Sequence, residues 1–264
     1  MESPLILEAK GEYEMRKISI SEARELFFSS DAKYVSQEQA SIYYDNFSGR
    51  LDVSTYITCG CLVVKSDSDW HIHALSKESD VVSAINEVKN NMGQSEKLMV
   101  LTWDNIPKEL EEYRGAYKFA RGYNPYTDDS IRPLTTDDCS EIERCCSPDV
   151  DDNQIGKNIA GEFLAYHKDM LSDPYIINLG LFKGNSLIGF VQAFKQKELD
   201  LSTINIFVNR AHRKNGYAKR LLSTICATSK DTIYCYSCVK TNTASINTAK
   251  ACGFQFMGYY LFIC

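Results

Sequence analysis

The feature that most constrains this chain is a strand that runs into a basic, glycine-bearing turn and then into an amphipathic helix. Asp200 to Val208 reads as an apolar strand, and Arg213-Lys214-Asn215-Gly216-Tyr217-Ala218 follows shortly after it. From 217 to 228, Ala218, Leu221, Leu222, Ile225 and Cys226 recur at helical spacing. Such a stripe packs on a sheet and leaves the helix N-terminus at the strand's end. The first backbone N–H groups of a helix have no partner inside it. They carry partial positive charge and suit an anion such as a pyrophosphate. Gly216 and Ala218 let a ligand approach the main chain closely.

The flanking segments alternate strand and helix. Ile176 to Phe182 and Leu187 to Phe194 read as a hairpin around Lys183-Gly184-Asn185-Ser186. Thr232 to Val239 reads as a buried strand rich in aromatic and β-branched residues. Asn242, Ser245, Gly253 and Phe254 follow, with a short helix between them. Upstream, Ile131 to Leu134 reads as a short strand, Thr136-Asp137-Asp138 as a helix start, and 153–171 as a longer helix. The fold class is α/β with a mixed sheet.

Arg213, Gly216 and Ala218 fit the pattern Arg/Gln-x-x-Gly-x-Gly/Ala. In this the stretch resembles the acyl-CoA-binding motif of the GNAT superfamily of N-acetyltransferases. Asn242, Ser245, Gly253 and Phe254 fall on the spacing of that family's second motif. The resemblance implies a GNAT fold in the C-terminal half. It implies transfer of an acetyl group from acetyl-CoA to a primary amine of a small molecule, amino acid or peptide. The attack would be direct, without a covalent enzyme intermediate. Acetyl-CoA would lie in the splay between strands 200–208 and 232–239. Main-chain groups of Phe207 and Val208 would hold its arm, and N–H groups of Arg213, Lys214, Asn215, Gly216, Tyr217 and Ala218 its pyrophosphate. The Arg213 side chain would add a phosphate contact. Asn242 would touch the cofactor arm or cap the next helix, with Ser245 beside it. The Val208 N–H would serve as oxyanion donor.

The chain departs from the family where proton transfer is concerned. The family's tyrosine acid falls at Ala249, so Tyr236, Tyr259 or Tyr260 would have to substitute. For the base, Glu198 is the candidate, with Asp200 beside it; Asn205 holds the more central position. His167, on helix 153–171, either lines the acceptor pocket or is an ordinary helix histidine. These departures leave open a catalytically weak acyl-CoA sensor, and an acyltransferase using a longer acyl-CoA.

The chain has 264 residues, enough for two units, expected at 1–126 and 127–264. The first 125 residues carry no clear motif, but their order is similar. A hairpin spans Tyr56–Lys65 and Trp70–Leu75, a helix runs from about Glu78 to Met92, and a strand from Leu98 to Trp103. A short helix is expected at Pro107. This reads as either a degenerate GNAT-like copy or an unrelated smaller α/β domain. Its helix opens with Ser76-Lys77-Glu78-Ser79-Asp80, whose carboxylates already complement the dipole and repel an anion.

A net charge of −6 argues against a nucleic-acid or anionic-membrane partner. No apolar run approaches the roughly 20 residues needed to span a bilayer. The N-terminus shows no signal-peptide pattern, so the expected location is cytoplasmic. The ten cysteines are scattered and read as buried small hydrophobes rather than a disulfide framework or a metal site. Cys59 and Cys61 would share a strand face, whereas Cys235 and Cys238 point to opposite faces. His71 and His73 share a strand face, with no further metal ligands in view. Only Gln255 to Cys264 follow Gly253-Phe254, room for one strand where the family has two. The N-terminal unit or a partner in a homodimer would have to fill that apolar edge.

Overall fold

The computed structural model describes residues 14–30, 32, 53–66, 69–103, 108–110, 114–147, 154–195 and 200–263. In the N-terminal half the strands are β1 (Arg16–Ile18), β2 (Val53–Thr58), β3 (Cys61–Ser66), β4 (Asp69–Ala74), β5 (Lys97–Thr102) and β6 (Arg114–Arg121). In the C-terminal half they are β7 (Ile131–Pro133), β8 (Ile176–Lys183), β9 (Ser186–Lys195), β10 (Leu201–Val208), β11 (Ile233–Val239) and β12 (Gln255–Ile263). The helices are α1 (Ile20–Ser29), α2 (Val81–Asn91), α3 (Cys139–Cys145), α4 (Gln154–Ser172), α5 (Tyr217–Ile225) and α6 (Thr243–Ala251).

One sheet holds all twelve strands, in the order β1-β2-β3-β4-β5-β12-β6-β11-β10-β9-β8-β7. Counted inward from either edge, the pairing is the same. Three antiparallel pairs come first, then a parallel pair, β4 with β5 or β10 with β11. Each half's last strand then lies beside the fifth strand of the other half. β12 pairs antiparallel with β5, and β6 antiparallel with β11. β6 and β12 close the exchange by pairing with each other. The boundary expected near residue 126 falls between β6 and β7, and the last strand of each half, β6 and β12, pairs across it. The apolar end of the chain therefore has no open edge. Tyr260, Leu261 and Ile263 are buried where β12 runs between β5 and β6.

The helices bury the faces their patterns require. Val81, Ala84, Ile85 and Val88 of α2 pack with Trp70, Ile72 and Ala74 of β4. The alternate residue His73 faces the other way, edge-on to Phe27 of α1 at 5.8 Å. Leu221, Leu222 and Ile225 of α5 meet Ile204 and Val208 of β10 and Tyr234 and Tyr236 of β11. Phe163 of α4 packs on Phe190 and clusters with Phe207 on the opposite face. No helix among the described residues is long and apolar enough to cross a membrane.

Three local readings are corrected. The segment 56–65 is two strands, because Cys59 and Gly60 adopt positive φ of 52° and 73° and form a tight turn. Cys59 thus stands in that turn, not on a strand face with Cys61. The helix expected from Glu78 starts at Val81, because the Asp80 carboxylate accepts from Ser83 N–H at 3.0 Å and caps it. Near 136 the cap is Thr135, in a reciprocal capping box with Asp138. The Arg132 guanidinium beside Asp138 holds that carboxyl down at about 2. The short helix expected at Pro107 begins outside the described residues, which show a 3-10 turn at Lys108–Leu110.

Candidate functional site

The site begins where two parallel strands part. β10 pairs with β11 only from Leu201–Ile233 to Ile204–Tyr236. β10 continues to Val208, held on its other edge by β9, and β11 continues to Val239, held by β6. From Asn205 and Ser237 onward a gap opens between them. Gly189 lets β9 hold this end closely. A β-carbon there would stand 2.7 Å from the Phe207 carbonyl oxygen and 3.2 Å from Val208 Cα.

The ladder phase decides which groups face the gap. Asn209 N–H donates to the Ile188 carbonyl at 2.9 Å. Bonded and non-bonded pairs alternate along an antiparallel ladder. Phe207 therefore turns its main-chain groups to β9, while those of Ile206 and Val208 face the gap. The Val208 N–H therefore points into the gap. Phe207 instead contributes its ring, stacked on Phe190 at 5.4 Å.

The turn after β10 is shaped by its own side chains. Asn209 accepts from Ala211 N–H at 3.1 Å and caps a 3-10 turn at Arg210–His212. Arg213 Nε donates to the Val208 carbonyl at 3.0 Å. Asn215 Nδ2 donates to the carbonyls of His212 and Arg213, each at 3.0 Å. Lys214 and Gly216 adopt left-handed φ of 65° and 75°. α5 then starts at Tyr217 with no side-chain cap on its N-terminus. A β-carbon on Gly216 would meet nothing within 4 Å, so the approach to these N–H groups is open. An uncapped nine-residue helix, a left-handed turn and open space in front make a cradle suited to a phosphate anion. The residues present therefore fit the diphosphate of a nucleotide cofactor such as acetyl-CoA. The Arg213 Nε engages the strand end rather than the space in front of the helix.

A second anchor was missed in the sequence. Arg220, in the first turns of α5, forms a fork on Asp128 at 2.6 and 2.7 Å and reaches Ser130 Oγ at 2.6 Å. It also lies 5.4 Å from the Tyr217 ring. The Arg220 guanidinium holds the Asp128 carboxyl well below the usual carboxylate range. The partners are 92 residues apart, a separation no local pattern reveals.

Beyond the end of β11, Asn242 caps α6 by accepting from Ser245 N–H at 3.1 Å. The Ser245 side chain lies near the Tyr236 phenol, but burial is the larger influence on it. Burial pushes that phenol up to about 12. Tyr236 belongs to the last β10–β11 pair before the gap. Ala249 is fully buried in the core. Tyr259 sits on β12, paired with Thr102 and Tyr117, two strands removed from β11. Its ring meets Phe256 at 5.0 Å. Glu198 lies outside the described residues. His167 is buried, and its Nδ1 lies 2.9 Å from the Leu164 carbonyl. A carbonyl only accepts, so Nδ1 carries the proton.

On the α4 face a cavity of about 300 Å³ opens where the strands part, lined by Glu162, Phe194, Thr203, Asn205, Cys235 and Ser237 among others. Sequence reading missed Glu162, which lies on the exposed side of an amphipathic helix. The described cysteines are free thiols, and among the described residues no group of three potential metal ligands converges.

Among the described residues of the N-terminal half, neither device recurs. β4 stays paired with β5 through His73–Leu101, one residue short of its end, so no comparable gap opens. The N-terminus of α2 is filled by Asp80, which accepts from Ser83 N–H and Ser83 Oγ at 3.0 and 2.7 Å.

Residues 136–254 match the family model described as Acetyltransferase (GNAT) family. The C-terminal half is a GNAT-superfamily domain, and acyl transfer is the general activity of that family. Similar solved structures extend the fold likeness over both halves. A GNAT-family acetyltransferase from Colwellia psychrerythraea is 11% identical, with a TM-score of 0.57, covering 94% of this chain and 98% of that one. A Drosophila protein is 13% identical, with a TM-score of 0.54, covering 95% and 98%. A GCN5-related N-acetyltransferase from Sphaerobacter thermophilus is 10% identical, with a TM-score of 0.52, covering 97% and 96%. At these identities the likeness concerns the fold. No curated protein matches the chain.

Proposed function

We propose that the C-terminal half transfers an acetyl group from acetyl-CoA to a primary amine by direct attack. The observation that carries this reading is the parting of β10 and β11 beside an uncapped helix N-terminus. The N–H groups of Asn215, Gly216, Tyr217 and Ala218 hold the diphosphate, with Lys214 adding local positive charge. The gap-facing main chain of Ile206 and Val208 holds the arm. When bound, acetyl-CoA supplies an acyl group activated as a thioester. The Val208 N–H points to the gap and offers a fixed dipole to a developing oxyanion, which requires no reorganisation at the moment of reaction. The Tyr236 phenol, kept protonated by burial at the last strand pair before the gap, takes the role that Ala249 cannot fill.

Incubating the protein with acetyl-CoA and a panel of amines, while following free thiol, tests the proposal. Amine-dependent thiol release is expected. The buried Ala249 favours a second reading, an acyl-CoA sensor. Calorimetric CoA binding without turnover of any amine would support that reading instead.

A further inference from the structure

Among the described residues lining the cavity on the α4 face, one carries a carboxylate, Glu162. We propose that this cavity receives the acceptor and that Glu162 binds its ammonium group. The substrates are then compact cationic amines that carry no carboxylate beside the amine. The inference rests on the acetyl-transfer reading and adds the acceptor's chemical class to it.

Four observations support it. First, the cavity lies where the strands part. Thr203 pairs with Cys235, Asn205 is the first β10 residue beyond the pairing, and all three line it. Side chains alternate along a strand, so Thr203 and Asn205 face one way and Ile204, Ile206 and Val208 the other. The latter three pack in the α5 core. The cavity and the anion cradle thus approach the gap from opposite faces, and an acceptor and an acyl donor can meet there without competing for space.

Second, the charge is unopposed. No lysine, arginine or histidine among the described residues pairs with Glu162. A carboxylate facing a partly enclosed space attracts an ammonium and repels a second carboxylate, more strongly than in bulk water. Third, the rest of the described lining is neutral. Phe194 gives an apolar wall, and Thr203, Asn205 and Ser237 give hydroxyl and amide groups. Nothing in this set binds the carboxylate of an α-amino acid. Fourth, about 300 Å³ is at the small end for ligand pockets and suits a single ring or a short chain.

The test compares phenethylamine with phenylalanine, which differ only by a carboxylate beside the amine. Each is titrated calorimetrically into the full chain and into E162Q and E162K, with and without CoA. CoA affinity is measured in parallel on all three proteins. Glu162 is exposed on its helix, so both variants retain the fold. Wild type should bind phenethylamine about ten-fold more tightly than phenylalanine. E162Q should weaken phenethylamine about ten-fold, E162K should reverse the preference, and CoA affinity should stay unchanged. Equal binding of the two probes, no effect of E162Q, or no binding of either probe to a CoA-competent protein overturns the proposal. Failure of wild type to bind CoA instead overturns the acetyl-transfer reading, and the CoA-free titrations still judge Glu162 separately.

Discussion

Arg213 Nε donates to the carbonyl of Val208 at 3.0 Å, tying the basic turn to the last residue of the parted strand. The bond occupies the gap-facing carbonyl of Val208 and leaves its N–H as the polar group offered to a ligand. It also couples two parts of the site, since the turn cannot shift without moving the strand end. Arg213→Met removes this brace. The expected cost is about 1 kcal/mol of stability and about a ten-fold loss of CoA affinity. Urea unfolding and calorimetry check the two numbers. Unchanged CoA affinity would show that the turn holds its shape without the brace.

The proton donor can be located by comparing two phenols. Tyr236 sits at the last strand pair before the gap, while Tyr259 lies two strands away on β12. Tyr236→Phe should lower kcat about ten-fold or more, with CoA affinity retained. Tyr259→Phe should leave kcat close to wild type. Steady-state kinetics on both variants, with CoA titrations alongside, decide the matter. The opposite ranking would return the role to Tyr259.

Gly258 lies at an irregularity in β12 where a β-carbon would run into the Thr102 carbonyl of β5. The main chains on both sides are fixed in the sheet, so neither can yield cheaply. Gly258→Val should destabilise the chain by about 3 kcal/mol. Because the halves exchange strands, they should unfold together in one transition. Denaturant melts followed by fluorescence and circular dichroism test both statements. Two separated transitions in wild type would contradict the shared sheet.

The Asp128–Arg220 fork makes a pH-dependent contribution whose sign is fixed. Asp128 is held below its unfolded pKa, so the native state keeps it ionised where the unfolded chain takes up a proton. The stabilisation is complete above the unfolded pKa of about 3.9 and is lost as pH falls below it. Asp128→Asn should cost about 2 kcal/mol at neutral pH and flatten the acid limb of the stability curve. Urea midpoints at several pH values show this. An acid limb as steep in the variant as in wild type would place the effect elsewhere, for example at Asp138 beside Arg132.

Much of the site was legible in the sequence because its parts are local. The strand ending at Val208, the glycine at the left-handed position and the stripe Leu221, Leu222 and Ile225 lie within one short segment. Asn242 as a cap follows from the same short-range logic. What the sequence hid depends on partners distant in the chain. Nothing in the residues of β12 states that it pairs with β5 rather than β11, because strand propensity does not encode a neighbour. Asp128 and Arg220 are likewise invisible to each other until the fold joins them. Glu162 reads as a solvated helix residue, and only the parting of the strands below α4 gives it a cavity to face. At Cys59–Gly60 a turn replaced an expected strand interior, since cysteine rarely signals positive φ.

The central claim is that main-chain N–H groups at the start of α5 grip the cofactor's diphosphate. Calorimetric titration of CoA into wild type and Gly216→Glu tests it most directly. Gly216 borders open space, so the glutamate costs about 1 kcal/mol through its left-handed φ, while its carboxylate faces the cradle. The account predicts CoA binding to wild type, none measurable to the variant, and a retained fold by circular dichroism. Equal affinity in the two proteins would contradict it.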